Sequence, residues 1–158
     1  MSKQILNLSI AELIVTSEDV VVSTVLGSCV SVCLFANDRV GGGIIHFALP
    51  KIPNNDVSDP FKYGDYAIEK LVQYTAEQLE VDPRRLVAKI VGGANNIGSE
   101  HASQKVGQEN VNLARKMLAK FGIAIVGEDV GGGHGRKILF HTLDGRRSEE
   151  HTSELQSH

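Results

Sequence analysis

Hydrophobic and polar positions alternate most clearly along the segment CVSVCLFA, residues 29–36. Successive side chains of a β-strand point to opposite faces. The segment therefore predicts a strand with Cys29, Ser31, Cys33 and Phe35 on one face and Val30, Val32 and Leu34 on the other. A Gly27-Ser28 break precedes the strand, and Asn37-Asp38 supplies turn chemistry after it. The pattern favours a hairpin whose return strand is VGGGIIHFALP, residues 40–50.

Two later segments carry apolar residues at helical spacing. The first spans about Asp65 to Glu80, and the second spans about Gln108 to Lys120 with Gly122 as its C-terminal cap. The positions expected to face inward are Ile68, Leu71, Val72, Thr75 and Leu79 in the first helix and Val111, Ala114, Leu118 and Phe121 in the second. The spacing thus predicts two amphipathic helices.

Further strands are predicted at residues 18–27, 86–91 and 123–130, and after the glycine turn that opens the segment 131–143. Strands and helices are mixed along the chain, which favours helices packed on a sheet. We therefore expect an α/β fold, a single-domain layered sandwich of mixed β-sheet with flanking helices.

Composition narrows the classes of function. The 158 residues carry a net charge of −3, which argues against the basic face of a nucleic-acid-binding protein. No apolar run has the length of a membrane span, and the N-terminus lacks the apolar core of a signal peptide. We therefore expect a cytoplasmic protein without membrane insertion, whose two cysteines are free thiols.

The last twelve residues, RSEEHTSELQSH, are polar, without convincing periodicity, and look like the conceptual translation of a common sequencing adaptor. We expect one folded domain over residues 1–146 and a non-native or disordered tail over residues 147–158.

Cys29 and His46 are the candidate catalytic pair. Cys29 follows the Gly-Ser break, where backbone N–H groups can stabilise a thiolate and a developing oxyanion. The hairpin would bring His46 near it, favouring the thiolate and supplying a general acid. Either Ser23 or Thr24 could orient the histidine. Taken singly, a cysteine packed as a small hydrophobe and a packed histidine are the commoner cases.

Other motifs give little support to a nucleotide-binding or metal-binding site. GGGHGRK lacks the spacing of a phosphate-binding loop, and VGGANNIG is not a dinucleotide fingerprint. The tail histidines at positions 151 and 158 are set aside, and those at positions 101, 134 and 141 complete no metal-ligand spacing. The sequence therefore predicts no metal site.

Five blocks in order, LGSCVSVCL, GGGIIHFALP, VGGANNIG, GQENVNLARKML and EDVGGGHGRKILF, resemble the chemoreceptor glutamine deamidases of bacterial chemotaxis, the CheD family. The resemblance covers about residues 14–143. It implies an α/β sandwich without a metal or organic cofactor. It also implies an enzyme that converts glutamine side chains of methyl-accepting chemoreceptors to glutamate and releases ammonia.

The resemblance also assigns residues. It implies Cys29 as the nucleophile and His46 as its partner. A hydroxyl residue six positions before the cysteine completes the triad, which is Ser23, with Thr24 as the neighbouring hydroxyl. Substrate-binding residues are expected in the Gly-Ser break before Cys29 and in the later GGA segment: Gly27, Ser28, Gly92, Gly93 and Ala94. The glycines of the return strand are expected to let a receptor helix approach closely.

Two alternatives are weighed beside the deamidase. One is a regulatory binding module that engages a chemotaxis response-regulator phosphatase, a partner that the resemblance also implies. The other, weaker, is a thiol protease. The deamidase hypothesis predicts that Cys29 reacts with iodoacetamide well before Cys33, whereas a purely regulatory module predicts that Cys29→Ala preserves function in cells.

Overall fold

The structure is a computed structural model that describes residues 3–54, 58–95 and 105–143, together with the backbone of residues 152–156. In chain order the described elements are β1 (Ile5–Asn7), β2 (Glu12–Thr16), β3 (Val21–Leu26), β4 (Val30–Phe35), β5 (Gly42–Phe47), α1 (Gly64–Leu79), β6 (Val87–Gly92), α2 (Val106–Lys120), β7 (Ala124–Val130), β8 (Gly135–His141) and β9 (Thr152–Gln156). Short 3-10 helices at Pro60–Lys62 and Pro83–Arg85 precede α1 and β6.

The strands form two mixed sheets that face each other. The four-stranded sheet has the order β1-β3-β8-β9, and the five-stranded sheet has the order β2-β5-β4-β6-β7. One apolar cluster lies between the sheets, and a larger one lies between the five-stranded sheet and the two helices. The molecule therefore has three layers, sheet, sheet and helices, which confirms the predicted α/β sandwich.

The alternation along β4 sorts its side chains between these two clusters. Val30, Val32 and Leu34 pack against the helices. Cys33 and Phe35 pack between the sheets, with Cys29 at the edge of the same cluster. The hairpin is also confirmed, because β4 pairs antiparallel with β5.

The predicted helices and the later strands agree with the structure to within about three residues at their ends. The N-terminal strands β1 and β2 were not predicted from the pattern. Both are short, and their turn includes Ala11 at a φ of 64°, a left-handed conformation that alanine rarely adopts. Such a turn leaves no glycine or asparagine signal in the sequence.

The glycines of β5 correct one expectation. A Cβ on Gly42 would lie 2.5 Å from the carbonyl oxygen of Leu34 and 3.1 Å from Phe140, and one on Gly43 would lie 2.2 Å from Thr75 Oγ1. Both glycines are buried. These glycines leave room for Phe140 of the facing sheet and for Thr75 of helix α1. They are therefore not a surface that a receptor helix could approach.

Part of the predicted tail is described as a strand. The backbone of β9 pairs antiparallel with β8, from Leu139 with Thr152 to Gly135 with Gln156. These five residues differ from the expected disorder. The boundary at residues 146 and 147 and the suspected non-native origin of the tail stay predictions. Within the described ranges, no helix combines the length and the apolar character needed to cross a membrane.

Candidate active site

Cys29 and His46 lie on the same face of one antiparallel strand pair. The register places His46 opposite Ser31 and Phe47 opposite Val30, and Cys29 directly precedes β4. Cys29 is therefore the diagonal neighbour of His46, and diagonal Cα atoms of such a pair are roughly 7–8 Å apart, within reach of long side chains. Among the described residues no hydrogen bond yet joins the thiol to the imidazole.

Thr24 fixes the imidazole of His46 from the facing sheet. The hydroxyl of Thr24 lies 2.6 Å from the carbonyl oxygen of Leu8 and 2.8 Å from His46 Nδ1. A carbonyl only accepts, so the single hydroxyl proton of Thr24 is donated to Leu8 and Oγ1 must accept from Nδ1–H. The hydrogen bonds thus select the tautomer in which Nε2 is free to accept a proton.

Ser23 does not make this contact, which corrects the expected third member. Neighbouring residues of a strand point to opposite faces. Thr24 is directed between the sheets with Val22 and Leu26, which belong to the inter-sheet cluster. Ser23 is directed to the outer face with Val25, a residue that is 61% exposed.

The nucleophile turn, which we define as Gly27–Cys29, is held from behind by its carbonyl groups. Three consecutive carbonyls each accept one hydrogen bond: that of Gly27 from Ala94 N–H at 3.0 Å, that of Ser28 from Asn110 Nδ2 at 3.0 Å, and that of Cys29 from Gly93 N–H at 2.8 Å. A trans peptide directs its N–H opposite to its carbonyl. The N–H groups of Ser28 and Cys29 therefore point away from these donors. All three turn residues are partly exposed.

The glycine corner after β6, which we define as Gly92–Ala94, supports the nucleophile turn from behind, and its predicted role in substrate binding stays a prediction. Gly92, Gly93 and Ala94 are buried. Gly92 has a φ of +112°, and a Cβ there would lie 2.3 Å from the Cys29 carbonyl oxygen. Only glycine combines this conformation with so close an approach.

A buried arginine braces the same corner from β8. Arg136 Nη1 donates to the Gly92 carbonyl at 3.2 Å, and Nη2 donates to the Gly131 carbonyl at 2.7 Å. Its Nε donates to Asp129 at 3.2 Å. Arg136 is only 4% exposed, so these contacts satisfy a charge that would otherwise be costly to bury.

Burial makes the resting pair uncharged. Desolvation raises the pKa of the Cys29 thiol, opposed by the residue's own backbone N–H. Desolvation lowers the pKa of His46 to about 4, opposed by the charge of Glu12. At neutral pH the pair is therefore thiol and neutral imidazole. The expectation that the histidine favours the thiolate stays a prediction.

Cys33 has no access to this chemistry. It is fully buried between the sheets, and desolvation raises the pKa of its thiol strongly. A buried apolar thiol is inert. The structure thus separates the two cysteines as the sequence predicted, with Cys29 alone partly accessible.

Asn110 is a site residue that the sequence reasoning missed. Its carboxamide contacts the nucleophile turn at Ser28 and the end of β5 at Ala48. The signal was present, because position 110 falls on the face of the second predicted helix that carries Ala114, so it places an amide among inward-facing residues.

The described ranges hold no group of three His, Cys, Asp or Glu side chains arranged to bind a metal ion. His134 lies exposed in the glycine turn, and His141 lies on β8. His101 lies outside the described residues.

This chain is similar to known proteins in both sequence and fold. Residues 48–148 match the family model of CheD chemotactic sensory transduction. A crystal structure of the Neisseria meningitidis protein NMB0706, of the family model DUF152, matches with a TM-score of 0.53 and covers 90% of this chain and 76% of that one. Its identity is 12%, so this likeness shows the fold alone.

Curated relatives match over most of their length. A probable chemoreceptor glutamine deamidase CheD of Trichlorobacter lovleyi is 41% identical over 133 residues, 83% of this chain and 80% of the relative. A protein of the same description from Caldanaerobacter subterraneus subsp. tengcongensis is 36% identical over 152 residues, 92% of each chain.

The family model begins after His46, at residue 48. The alignment with the Caldanaerobacter protein leaves out 8% of 158 residues, about 13, so it must extend over both Cys29 and His46. The match therefore includes the nucleophile turn, and the chain belongs to the CheD family.

Proposed function

We propose that this protein is a cysteine-dependent amidohydrolase that deamidates glutamine side chains of methyl-accepting chemoreceptors to glutamate. The observation that carries the proposal is the Cys29–His46 pair on one strand face, with His46 Nδ1 hydrogen-bonded to Thr24 at 2.8 Å. The relatives named as probable chemoreceptor glutamine deamidases supply the substrate class. The enzyme would act in the cytoplasm, on the part of a receptor that reaches it.

Acylation begins from the uncharged pair. His46 Nε2 accepts the proton of the Cys29 thiol as sulfur attacks the carboxamide carbon of the glutamine. The carbonyl oxygen gains the negative charge of the tetrahedral intermediate. The N–H groups of Ser28 and Cys29 share peptide planes with the hydrogen-bonded carbonyls of Gly27 and Ser28 and point away from the donors to those carbonyls, so they are the candidate donors to that oxygen.

The intermediate collapses when imidazolium returns the proton to the leaving nitrogen. Ammonia departs, and a thioester joins Cys29 to the former glutamine side chain. Neutral His46 then accepts a proton from water as its oxygen attacks the thioester. The C–S bond breaks, the thiolate recovers the proton from the imidazolium, and the product leaves as a side-chain carboxylic acid that ionises in water to glutamate. Each proton transferred between reacting groups in the site passes through one nitrogen of His46, so the proposal needs no metal or organic cofactor.

Thr24 acts on the imidazole throughout this cycle. Its oxygen accepts from Nδ1–H whether the ring is neutral or protonated, so the ring does not have to turn between steps. We therefore propose Thr24, in place of Ser23, as the orienting residue of the triad.

The test is deamidation of a purified chemoreceptor, mapped by peptide mass spectrometry. Wild type, Cys29→Ala and the matched control Cys33→Ala are compared, because the two thiols lie four residues apart and differ in access. We expect glutamine-to-glutamate conversion at defined sites with wild type and Cys33→Ala, and none with Cys29→Ala.

Other outcomes count against the proposal in different ways. Conversion by Cys29→Ala would remove the nucleophile assignment. Cleavage of the receptor backbone would favour the thiol protease. A folded wild type that leaves a panel of receptors unmodified would refute the deamidase and favour the binding module, whose phosphatase partner stays a prediction.

A further inference from the structure

Asn110 joins the two strand ends that carry the catalytic pair. Its Nδ2 donates to the Ser28 carbonyl at 3.0 Å and to the Ala48 carbonyl at 2.9 Å. Ser28 directly precedes Cys29, and Ala48 lies two residues after His46. The asparagine is fully buried, so the contact is shielded from competing water.

This contact begins where the strand pairing stops. The ladder between β4 and β5 ends with the pair Val30 and Phe47. Beyond that pair no strand hydrogen bond sets the separation of the two chains. The two protons on Asn110 Nδ2 take over this function, since each can be donated to one carbonyl. The separation of Cys29 from His46 thus depends on a side chain of α2.

The contact also sets the direction of a catalytic N–H. The peptide that joins Ser28 to Cys29 is planar and trans. Fixing the Ser28 carbonyl on Asn110 therefore aims the Cys29 N–H to the opposite side, towards the thiol. The same N–H acts to lower the pKa of the Cys29 thiol, against the effect of burial.

The oxygen of this amide adds no hydrogen bond to the described part of the fold. Asn110 Oδ1 is buried with no hydrogen-bond partner among the described residues, which is unfavourable by about 1–3 kcal/mol for a typical polar group. A leucine of similar volume would remove this unpaired oxygen, but it would leave the Ser28 and Ala48 carbonyls without the donor that Asn110 provides. The amide is explained by the two carbonyls that it holds.

We propose that Asn110 is a positioning residue for the deamidation, a bridge that fixes the nucleophile turn against the strand of the catalytic histidine. The inference rests on the proposed function. It adds that the reactivity of Cys29 is controlled from α2, through the backbone and without contact with the substrate.

The experiment measures iodoacetamide alkylation of Cys29 against pH in a Cys33→Ala background, where Cys29 is the sole thiol. Asn110→Leu is compared with the parent and with Asn112→Leu, the same change at an exposed position of the same helix. We expect Asn110→Leu to raise the apparent thiol pKa by about one unit, and so to slow alkylation at neutral pH roughly tenfold. Asn112→Leu should match the parent.

Deamidation kinetics of the same variants complete the test. Asn110→Leu should lower kcat by roughly ten- to a hundredfold and change KM less, because the ground-state surface is intact. Asn110→Ser serves if the leucine variant does not fold. Alkylation and kcat within twofold of the parent would overturn the proposal, and so would unfolding of both variants, which would assign Asn110 to the fold. Failure of the parent to deamidate refutes the proposed function instead, while the alkylation profile still decides the role of Asn110.

Discussion

Replacing Thr24 by valine tests the orientation of His46 with little change in shape. Valine keeps the branched side chain and its packing between the sheets and removes only the hydroxyl. Two hydrogen bonds are lost, one to the Leu8 carbonyl at 2.6 Å and one from His46 Nδ1 at 2.8 Å. The Nδ1–H is then buried without an acceptor, and the ring can exchange tautomers or turn.

The effect on stability follows from those two contacts. An intramolecular hydrogen bond contributes about 0.5–1.5 kcal/mol net, so the loss of two lowers the free energy of unfolding by about 2 kcal/mol. In a protein of this size about 1 kcal/mol corresponds to roughly 2–4 °C, so Tm should fall by about 4–8 °C. No cavity term is added, because the volume is conserved.

The effect on catalysis is separate. A positioned general base contributes about 10²–10⁴ to the rate, and an unoriented imidazole forfeits part of that. We expect kcat of Thr24→Val to fall roughly ten- to a hundredfold, or about 1.4–2.7 kcal/mol, with KM little changed. The assay is the initial rate of ammonia release from a purified chemoreceptor.

Ser23→Ala is the matched control, since it removes the adjacent hydroxyl from the opposite face of β3. We expect its kcat and Tm to stay near those of wild type. Thr24→Ser should retain most activity because it keeps the hydroxyl. A Ser23→Ala variant as impaired as Thr24→Val, or a fully active Thr24→Val, would refute the assignment of the tautomer to Thr24.

Three further predictions concern the surroundings of the pair. Gly92→Ala should cost about 2–3 kcal/mol in urea unfolding, within the range for strain at a positive φ, and lower kcat more than tenfold, because its Cβ would displace the Cys29 carbonyl; wild-type stability would contradict this. Ser31 Oγ is fully buried without a partner among the described residues, so Ser31→Ala should raise the urea midpoint by an amount equal to about 1 kcal/mol; a lower midpoint would mean that the hydroxyl has a partner. For His46 the folded pKa of about 4 lies below the ordinary 6.5; above 6.5 both states are neutral and the stability is intact, and as pH falls through this window the unfolded state gains the proton first. Wild type should therefore lose more stability between pH 7 and 4.5 than His46→Gln does, and equal losses would refute the shift.

Hydrophobic alternation was sufficient for the hairpin that carries the pair. It gave the face shared by Cys29 and His46, because the period of two leaves no choice once β4 and β5 are paired. For β3 the alternation does not show which residues face the other sheet. Val21 and Val25 flank Ser23, and Val22 and Leu26 flank Thr24, so both faces look apolar. The facing sheet alone decides which hydroxyl meets the imidazole.

The glycines show a second limit of sequence reasoning. A glycine indicates that something approaches closely, but it does not say what. At Gly42 and Gly43 the neighbour is the protein's own core, and at Gly92 it is the carbonyl of the nucleophile. Each of these is a contact between elements distant in sequence, which a local pattern does not contain.

The uncharged resting state has a consequence for how the enzyme would be controlled. A neutral thiol is a weak target for oxidants and alkylating agents, whereas a standing thiolate is a strong one. Burial raises the pKa of Cys29 and lowers that of His46, so the charged pair is disfavoured until a carbonyl group is present to receive the negative charge. The fixed N–H groups of the nucleophile turn become fully effective only at that moment, when the oxyanion forms beside them. In this arrangement the glycine corner and Asn110 hold the backbone N–H groups of the nucleophile turn in position before the substrate binds. Under the proposed mechanism the thiol stays protected until a substrate binds, and the substrate amide itself activates the site.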